Sequence, residues 1–562
     1  MHILGISCYY HDAAAALLRD GQLVAASEEE RFSRIKHDYG FPKQAIQFCL
    51  DAGGINSQDL DYVVFFEKPF RKFDRILTSV LQTYPQSYKV FRESMITWML
   101  DKLWVASTIE AEFKVPKEKV LFSKHHLSHA ASAYLCSPFE EAAILTVDGV
   151  GEWTTGAYGV GRGNEIHLMK QIEFPHSLGL LYSSFTAFLG FEVNDGEYKV
   201  MGMAPYGKPR YLDEVWKLIH QNDDGSFSLD MSYFCFQHST DKMFNERFEA
   251  LFGKPRPVKL QFFTELTGFP KYFGDQPAEF KELCTLNQHY ADIAASIQRV
   301  TEDVLVQMAK SLYKQTGLSR LCMAGGVALN SVANTRILRE SGFSELYIQP
   351  AAGDGGGALG AALWAYSSLL GKPRPFTMDH TYWGREFSSA EISAFLRENN
   401  IPHRVIEDDS KLLDHTVERL IGGKVIGWFQ GRFEWGPRAL GNRSIIADAR
   451  NPEMKDIVNA KIKFREPYRP FAPSVLAESA GKYFELPNII HHYPARFMLY
   501  VVPVKQAQQS TLPAITHVDG TGRLQTVFRD QNPRYYGLIE HFCGFRAKVI
   551  TIPKLSRSAF RN

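Results

Sequence analysis

Residues 144–173, ILTVDGVGEWTTGAYGVGRGNEIHLMKQIE, decide the fold. An apolar run of strand length, ILTVD, meets a Gly-rich turn; a small-residue strand follows, then a tight turn at Gly163-Asn164 and a third strand. The same order occurs at 3–28, where ILGIS, a short polar turn and AAAALLRDGQLVAASE place the tight turn at Asp20-Gly21. A hairpin sheet present twice predicts a duplicated α/β domain with a cleft between its halves. Downstream, Ile293, Ile297, Val300, Val304 and Met308 make one stripe of a helix within 286–316. LCMAGG, a helix from Ser331 to Ser341, ELYIQP and ALGAALWAYSSLL then alternate as βαβα, the pattern of a mostly parallel sheet. This domain is expected to span 1–372. GKPRPFTMDHTYWG reads as a connector, and a second α/β domain is expected over 381–562.

The 562 residues exclude a single small core, and 45% hydrophobic against 22% charged residues excludes extended disorder. Lys and Arg number 63 against 62 Asp and Glu, so no global field attracts nucleic acid or an anionic membrane, and any anion site must be local. The seven cysteines form no CxxC pair, which points away from a disulfide scaffold or a thiolate zinc site. MHILGISCYYHD lacks the basic start of a signal peptide, and no stretch is uniformly apolar enough to span a bilayer. A cytoplasmic protein without nucleic-acid or membrane partners is expected, and a homodimer is allowed for.

In KHHLSHAASAYL, His125 and His129 lie four apart on a predicted helix, on the face that two imidazoles need to share one divalent ion. Asp148 and Asp354 are candidate carboxylates to complete the shell, and a shell without thiolate suits iron(II), manganese or zinc. GDGGGALG and AGGVALN are candidate anion nests or, equally, tight packing turns. His11 at a strand end is a candidate general base. In the second domain GRFEWGPRALGNRSIIAD and KIKFREPYRPFAPS interleave cations with Gly, Pro and aromatics, as a phosphate pocket does.

HDAAAAL, EEERFSRIKHD, HHLSHAASAY, VDGVGEW, DGEYKVMGMAPYG, AGGVALN, GDGGGALG, GPRALGNRS, REPYRPFAPS and THVDGTGRLQTV together resemble the O-carbamoyltransferases of antibiotic and nodulation-factor biosynthesis. The resemblance implies an actin-like N-terminal domain of the tRNA-threonylcarbamoyl-transferase type and a YrdC-like C-terminal domain. It implies that carbamoyl phosphate and ATP give carbamoyl adenylate in the second domain, and that the carbamoyl group passes to a hydroxyl of a small-molecule acceptor at a metal site in the first. By this resemblance His125, His129, Asp148 and Asp354 are the metal ligands, with Fe(II) the expected ion. His11 is the base and Lys36 a cation near the transferred group. Gly325, Gly326, Asn330, Gly355 and Gly356 form a nucleotide cradle; Arg438, Arg443, Ser444, Lys461, Arg465 and Arg523 contact carbamoyl phosphate or the adenylate.

One departure stands out. After NPRYYGLIEHF the family pattern continues with a strand and an NTSFN-type segment, whereas 543–562 read CGFRAKVITIPKLSRSAFRN. A strand missing from the second sheet and impaired adenylate formation are therefore expected. An ATP-dependent sugar kinase of the actin-like superfamily is the rival enzyme class, but it leaves the histidine pair unexplained. A tRNA-modifying carbamoyl transferase and a non-catalytic binding protein are further alternatives.

Overall fold

The duplicated hairpin governs the first half of the chain in the computed structural model, which describes residues 1–100, 102–460, 466–469, 471–488, 491–544 and 549–552. The contacts divide the chain into two units, Met1–Leu266 with Glu279–Met378, and Thr267–Ala278 with Asp379–Asn562.

In the first unit, β1 (His2–Ser7), β2 (Ala14–Arg19) and β3 (Gln22–Glu28) form an antiparallel meander, with Asp20 (φ 49) and Gly21 (φ 81) closing the β2–β3 turn. β4 (Tyr62–Phe65) and β5 (Val120–Phe122) then add in parallel, giving the order β3-β2-β1-β4-β5. The second half repeats this. β6 (Glu141–Val147), β7 (Thr154–Arg162) and β8 (Glu165–Glu173) form the meander; after a small hairpin of β9 (Ile219–Gln221) and β10 (Phe227–Leu229), β11 (Arg320–Ala324) and β12 (Glu345–Ile348) add in parallel. The order β12-β11-β6-β7-β8 is the first sheet over again, which is the duplicated actin-like arrangement expected.

Six helices position what matters: α1 (Lys43–Gly53), α2 (Pro69–Gln82), α3 (His125–Tyr134), α4 (Phe280–Thr316), α5 (Ser331–Glu340) and α6 (Asp354–Leu363). The predicted stripe of α4, from Ile293 to Met308, is fully buried. α6 packs on β1 and β2 and also on α3, while α3 packs on β6 and β11. Glycine makes this possible. A Cβ on Gly5 would lie 1.8 Å from the Ala358 carbonyl oxygen, and one on Gly360 would lie 1.9 Å from that of Ser128. Among the described residues no helix is long and apolar enough to cross a membrane.

The second unit is built on a sheet of order β13-β14-β19-β15-β18, from β13 (Ile426–Phe429), β14 (Arg443–Asp448), β15 (Ala472–Leu476), β18 (Gln525–Val527) and β19 (Val549–Ile552); β16 (Val501–Pro503) and β17 (Thr521–Arg523) form a separate pair. This corrects the expectation of a missing strand. β19 comes from the atypical tail and pairs antiparallel with both β14 and β15, so it sits inside the sheet. The run Val-Ile-Thr-Ile is β-branched throughout, which suits a strand whatever motif it replaces.

Gly360→Ala should lower stability by at least ~1–3 kcal/mol, because α3 and α6 must separate to admit one methyl group. Thermal unfolding of the full chain checks this; an unchanged transition would show that the helices have slack at their crossing.

Candidate functional site

The crossing of α3 and α6 brings four predicted residues together. His125 and His129 share one face of α3 and are buried, and Asp354 is the first residue of α6. Asp148 directly follows β6. One ligand atom from each lies within 4.8 Å of all the others. His125 Nε2 stands 3.1 Å from Asp148 Oδ2 and 3.6 Å from Asp354 Oδ1; His129 Nε2 stands 3.7 Å and 3.6 Å from the same atoms. The two Nε2 atoms face each other at 3.1 Å. His126, the third histidine of the motif, points elsewhere and shares a hydrogen bond with Thr146 Oγ1 at 2.7 Å.

These residues fit a divalent cation. Two imidazole nitrogens and two carboxylates converge in a buried space, and Asp354 Oδ2 is buried without a hydrogen-bond partner. Burial opposes the charged imidazolium, yet the charge of Asp354 and the hydrogen bonds the ring donates to Asp148 and Glu67 push His125 up to about 10. The same histidines hold Asp148 well below the usual carboxylate range although its burial works the other way. The two carboxylates and two imidazoles form a donor set that a divalent cation would complete by displacing the imidazole protons.

Around the quartet lie residues that sequence reasoning missed. Glu67 Oε2 faces His125 Nδ1 at 3.3 Å, the contact that fixes the ring orientation of a ligating histidine. Both Glu67 oxygens also accept from Lys72 Nζ, at 3.0 Å and 2.8 Å, and the pair is only 3% exposed. The available signal was a carboxylate closing the apolar strand YVVFFE. Tyr10 is a second omission. Its hydroxyl is pushed up by burial and then by the charges of Asp148 and Asp354, so it borders the same space.

The glycines serve mainly to shape this centre. Gly325 adopts φ 96, with its Cβ position 2.2 Å from the Val147 carbonyl oxygen, and the Gly326 amide donates to Asp148 Oδ1 at 2.9 Å. Gly355 and Gly356 are buried in the first turn of α6, and a Cβ on Gly356 would meet the Ala351 carbonyl at 2.0 Å. Gly325 and Gly356 are thus held by close packing, whereas a Cβ on Gly355 would meet only ordinary contacts of 3.7 Å or more. Asn330 caps α5 through the Ala333 amide and exchanges hydrogen bonds with Gln298.

A second cluster holds His11 and Lys36. Asp12 bridges two imidazoles, with Oδ2 2.7 Å from His11 Nδ1 and Oδ1 2.7 Å from His37 Nδ1. Asp195 contacts both Lys36 Nζ and His37 Nε2. His11 Nε2 also reaches the Asn194 carbonyl at 2.8 Å. Burial disfavours its charge, but the Asp12 hydrogen bond and charge raise His11 to about 10. Both ring nitrogens are thus engaged, Nδ1 by Asp12 and Nε2 by the Asn194 carbonyl, so His11 is held as a donor here, and the base role implied by the resemblance requires Nε2 to be released and the ring to give up a proton.

The family description "Carbamoyltransferase N-terminus" matches residues 2–363, and "Carbamoyltransferase C-terminus" matches 417–552. The chain belongs to the carbamoyltransferase family. It is 36% identical over 567 residues to nodulation protein NolNO of Sinorhizobium fredii, covering 99% of this chain and 74% of the relative. It is 36% identical over 437 residues to the 3'-hydroxymethylcephem-O-carbamoyltransferase of Amycolatopsis lactamdurans, covering 76% and 72%. An uncharacterized Synechocystis protein, sll1178, is 45% identical over 576 residues, covering 96% and 89%.

The second unit of this carbamoyltransferase shows where its predicted cations went. Arg443 Nε donates to Glu434 Oε2 at 2.7 Å, and Glu434 also accepts from the amides of Leu440, Asn442 and Arg443. Arg443 therefore braces the loop that carries Arg438. Ser444 Oγ accepts from the Gly441 amide at 3.1 Å, and Arg523 ends β17. Lys461 and Arg465 lie outside the described residues. A cleft in this unit is lined by His380, Tyr382, Leu440, Arg496, Phe528 and Asn532, and the Arg496 guanidinium lies 4.3 Å from the ring centroids of both Tyr493 and Phe528. The sequence reading passed over Arg496.

Asp12→Asn should return the His11 pKa from about 10 toward the ordinary imidazole range, as followed by NMR titration of the ring protons. Because the folded value is raised, this pair stabilises the fold fully below the ordinary imidazole pKa and its contribution is lost as pH rises through about 10. A His11 that still titrates near 10 in the variant would clear Asp12 of that role.

Proposed function

We propose that this carbamoyltransferase is an ATP-dependent O-carbamoyltransferase that makes carbamoyl adenylate from carbamoyl phosphate in its second, YrdC-like unit and carbamoylates a hydroxyl of a small-molecule acceptor in its first. The buried quartet of His125, His129, Asp148 and Asp354 carries this reading, since a sugar kinase has no use for two imidazoles facing two carboxylates in a dry centre. Relatives named as cephem O-carbamoyltransferases support the acceptor class, an alcohol. The quartet would hold a divalent ion, Fe(II) by the family resemblance, and supply Lewis-acid polarisation when loaded.

The chemistry explains why two anion-binding units share one chain. Carbamoyl phosphate first loses inorganic phosphate to water, and because the carbamate left is a poor electrophile, its oxygen displaces pyrophosphate from the α-phosphorus of ATP to give a mixed anhydride whose leaving group is AMP. Transfer then breaks the acceptor O–H bond and the carbonyl carbon–oxygen bond to phosphate, forms the new ester bond, and releases AMP with the electron pair. The mixed anhydride must be kept from water, which the burial of the quartet favours. His11, oriented by Asp12, is the group proposed to take the acceptor's proton once its Nε2 is released from the Asn194 carbonyl and the ring is neutral, and the imidazolium so formed faces the negative charge that grows on the carbamoyl group. In the second unit, Arg438 and the aromatic-flanked Arg496 are the cations proposed to hold nucleotide phosphate, with Arg443 as their brace.

The protein incubated with ATP and carbamoyl phosphate should release pyrophosphate and AMP. ADP in place of both would instead support the kinase. Metal analysis of anaerobically purified protein should find a divalent ion that His129→Ala loses along with transfer activity. A variant that keeps its full metal content would remove the quartet from the mechanism.

A further inference from the structure

Helix α2 buries two cations, Lys72 and Arg75, three residues apart on one face, and the fold treats them differently. Lys72 sits between the two oxygens of Glu67. Arg75, only 8% exposed, has no such partner: among the described residues its guanidinium makes no ion pair and donates no hydrogen bond, and Nη1 is buried and unmatched. Its neighbour Asp74 is engaged elsewhere, accepting from Trp153 Nε1 at 3.1 Å. The Phe174 ring, 5.1 Å from the guanidinium carbon, offers only a weak cation–π contact in place of an anion.

A buried, uncompensated charge is costly, so a fold keeps one where something else completes it. The location says what that is. Arg75 lies one turn from Lys72 on the same helix; Lys72 pairs with Glu67, which contacts His125, and the Lys72 Nζ stands 4.5 Å from the Tyr10 ring centroid. Arg75 therefore belongs to the turn of α2 that backs the quartet. α2 also belongs to an addition to the duplicated plan: residues 66–119 separate β4 from β5, whereas residues 325–344 suffice between the matching strands β11 and β12. The sheet itself does not need the helix that brings Arg75 in.

We propose that Arg75 is an anion receptor of the transfer centre, completed by the phosphoryl group of the adenylated carbamoyl donor; this rests on the function proposed above. A guanidinium matches two phosphate oxygens at once. As the carbonyl carbon–oxygen bond breaks, the electron pair leaves with AMP and the phosphate gains negative charge, which a fixed cation favours over the bound donor. Lys72, already neutralised by Glu67, cannot supply this.

AMP binding to the full chain, titrated calorimetrically, tests the assignment in the unaltered protein, Arg75→Met and Arg75→Lys. The unaltered protein should bind AMP in both units. Arg75→Met should lose one of the two sites, and Arg75→Lys should keep it at roughly tenfold weaker affinity, a point charge replacing a fork. Without ligand, Arg75→Met should melt no lower than the unaltered protein, because an uncompensated charge has been removed. Unchanged AMP stoichiometry in Arg75→Met, or a clear fall in its ligand-free melting temperature, would make Arg75 structural and overturn the proposal. If Arg75→Met does not fold, the affinity of Arg75→Lys decides. Pyrophosphate release by the unaltered protein is judged separately: its absence would sink the adenylate reading, while the AMP titration would still decide whether Arg75 receives an anion.

Discussion

The close crossing of α3 and α6 is the constraint on which the first unit depends. A helix carrying two ligand-spaced histidines meets a helix whose first residue is Asp354, and the gap between them is set by Gly360 against the backbone of Ser128. On its other side α6 lies against β1 through Gly5, so the run of glycines that looks like a phosphate loop in the sequence serves two packing surfaces at once. Anything larger would pull Asp354 out of reach of both imidazoles. The two sheets of the duplicated plan stand behind these helices, and the quartet forms where the halves meet.

Charge is distributed around that centre with unequal compensation. The quartet carries two carboxylates, the Glu67–Lys72 pair behind it is internally balanced, and Arg75 is left as a cation without a partner among the described residues. In the neighbouring cluster Asp12 serves two histidines from a left-handed backbone position (φ 46), as does His37 (φ 52), and Asn194 (φ 65) presents its carbonyl to His11. Three non-glycine residues in sparsely populated backbone conformations, all meeting one carboxylate or one imidazole, are the kind of strain that a fold retains at a working site.

Much of this was legible. The two hairpins, the α4 stripe and the histidine spacing each express a period that survives folding, because residues two or four apart stay neighbours in a strand or helix whatever packs against them. The quartet was found residue by residue for that reason. Glu67, Lys72 and Arg75 were not, since their significance lies in which of them finds a partner, and a sequence shows charges without showing pairs. Arg443 shows the same limit: among glycines and aromatics it read as a phosphate contact, and only the fold shows that it also pairs with Glu434.

The sequence by itself determined the repeated strand-and-hairpin pattern of a duplicated α/β domain, the candidate ligands and the family resemblance, all carried by local patterns and motifs. Only the tertiary structure decided that the tail supplies an interior strand of the second sheet, that Gly325, Gly356 and Gly360 sit against carbonyl oxygens, and that Asp12 serves both His11 and His37. Each of these depends on long-range neighbours: a pairing across the chain, a carbonyl at van der Waals limit, a carboxylate at hydrogen-bond distance. Burial then turns such neighbours into large differences in charge and space that no spacing rule contains.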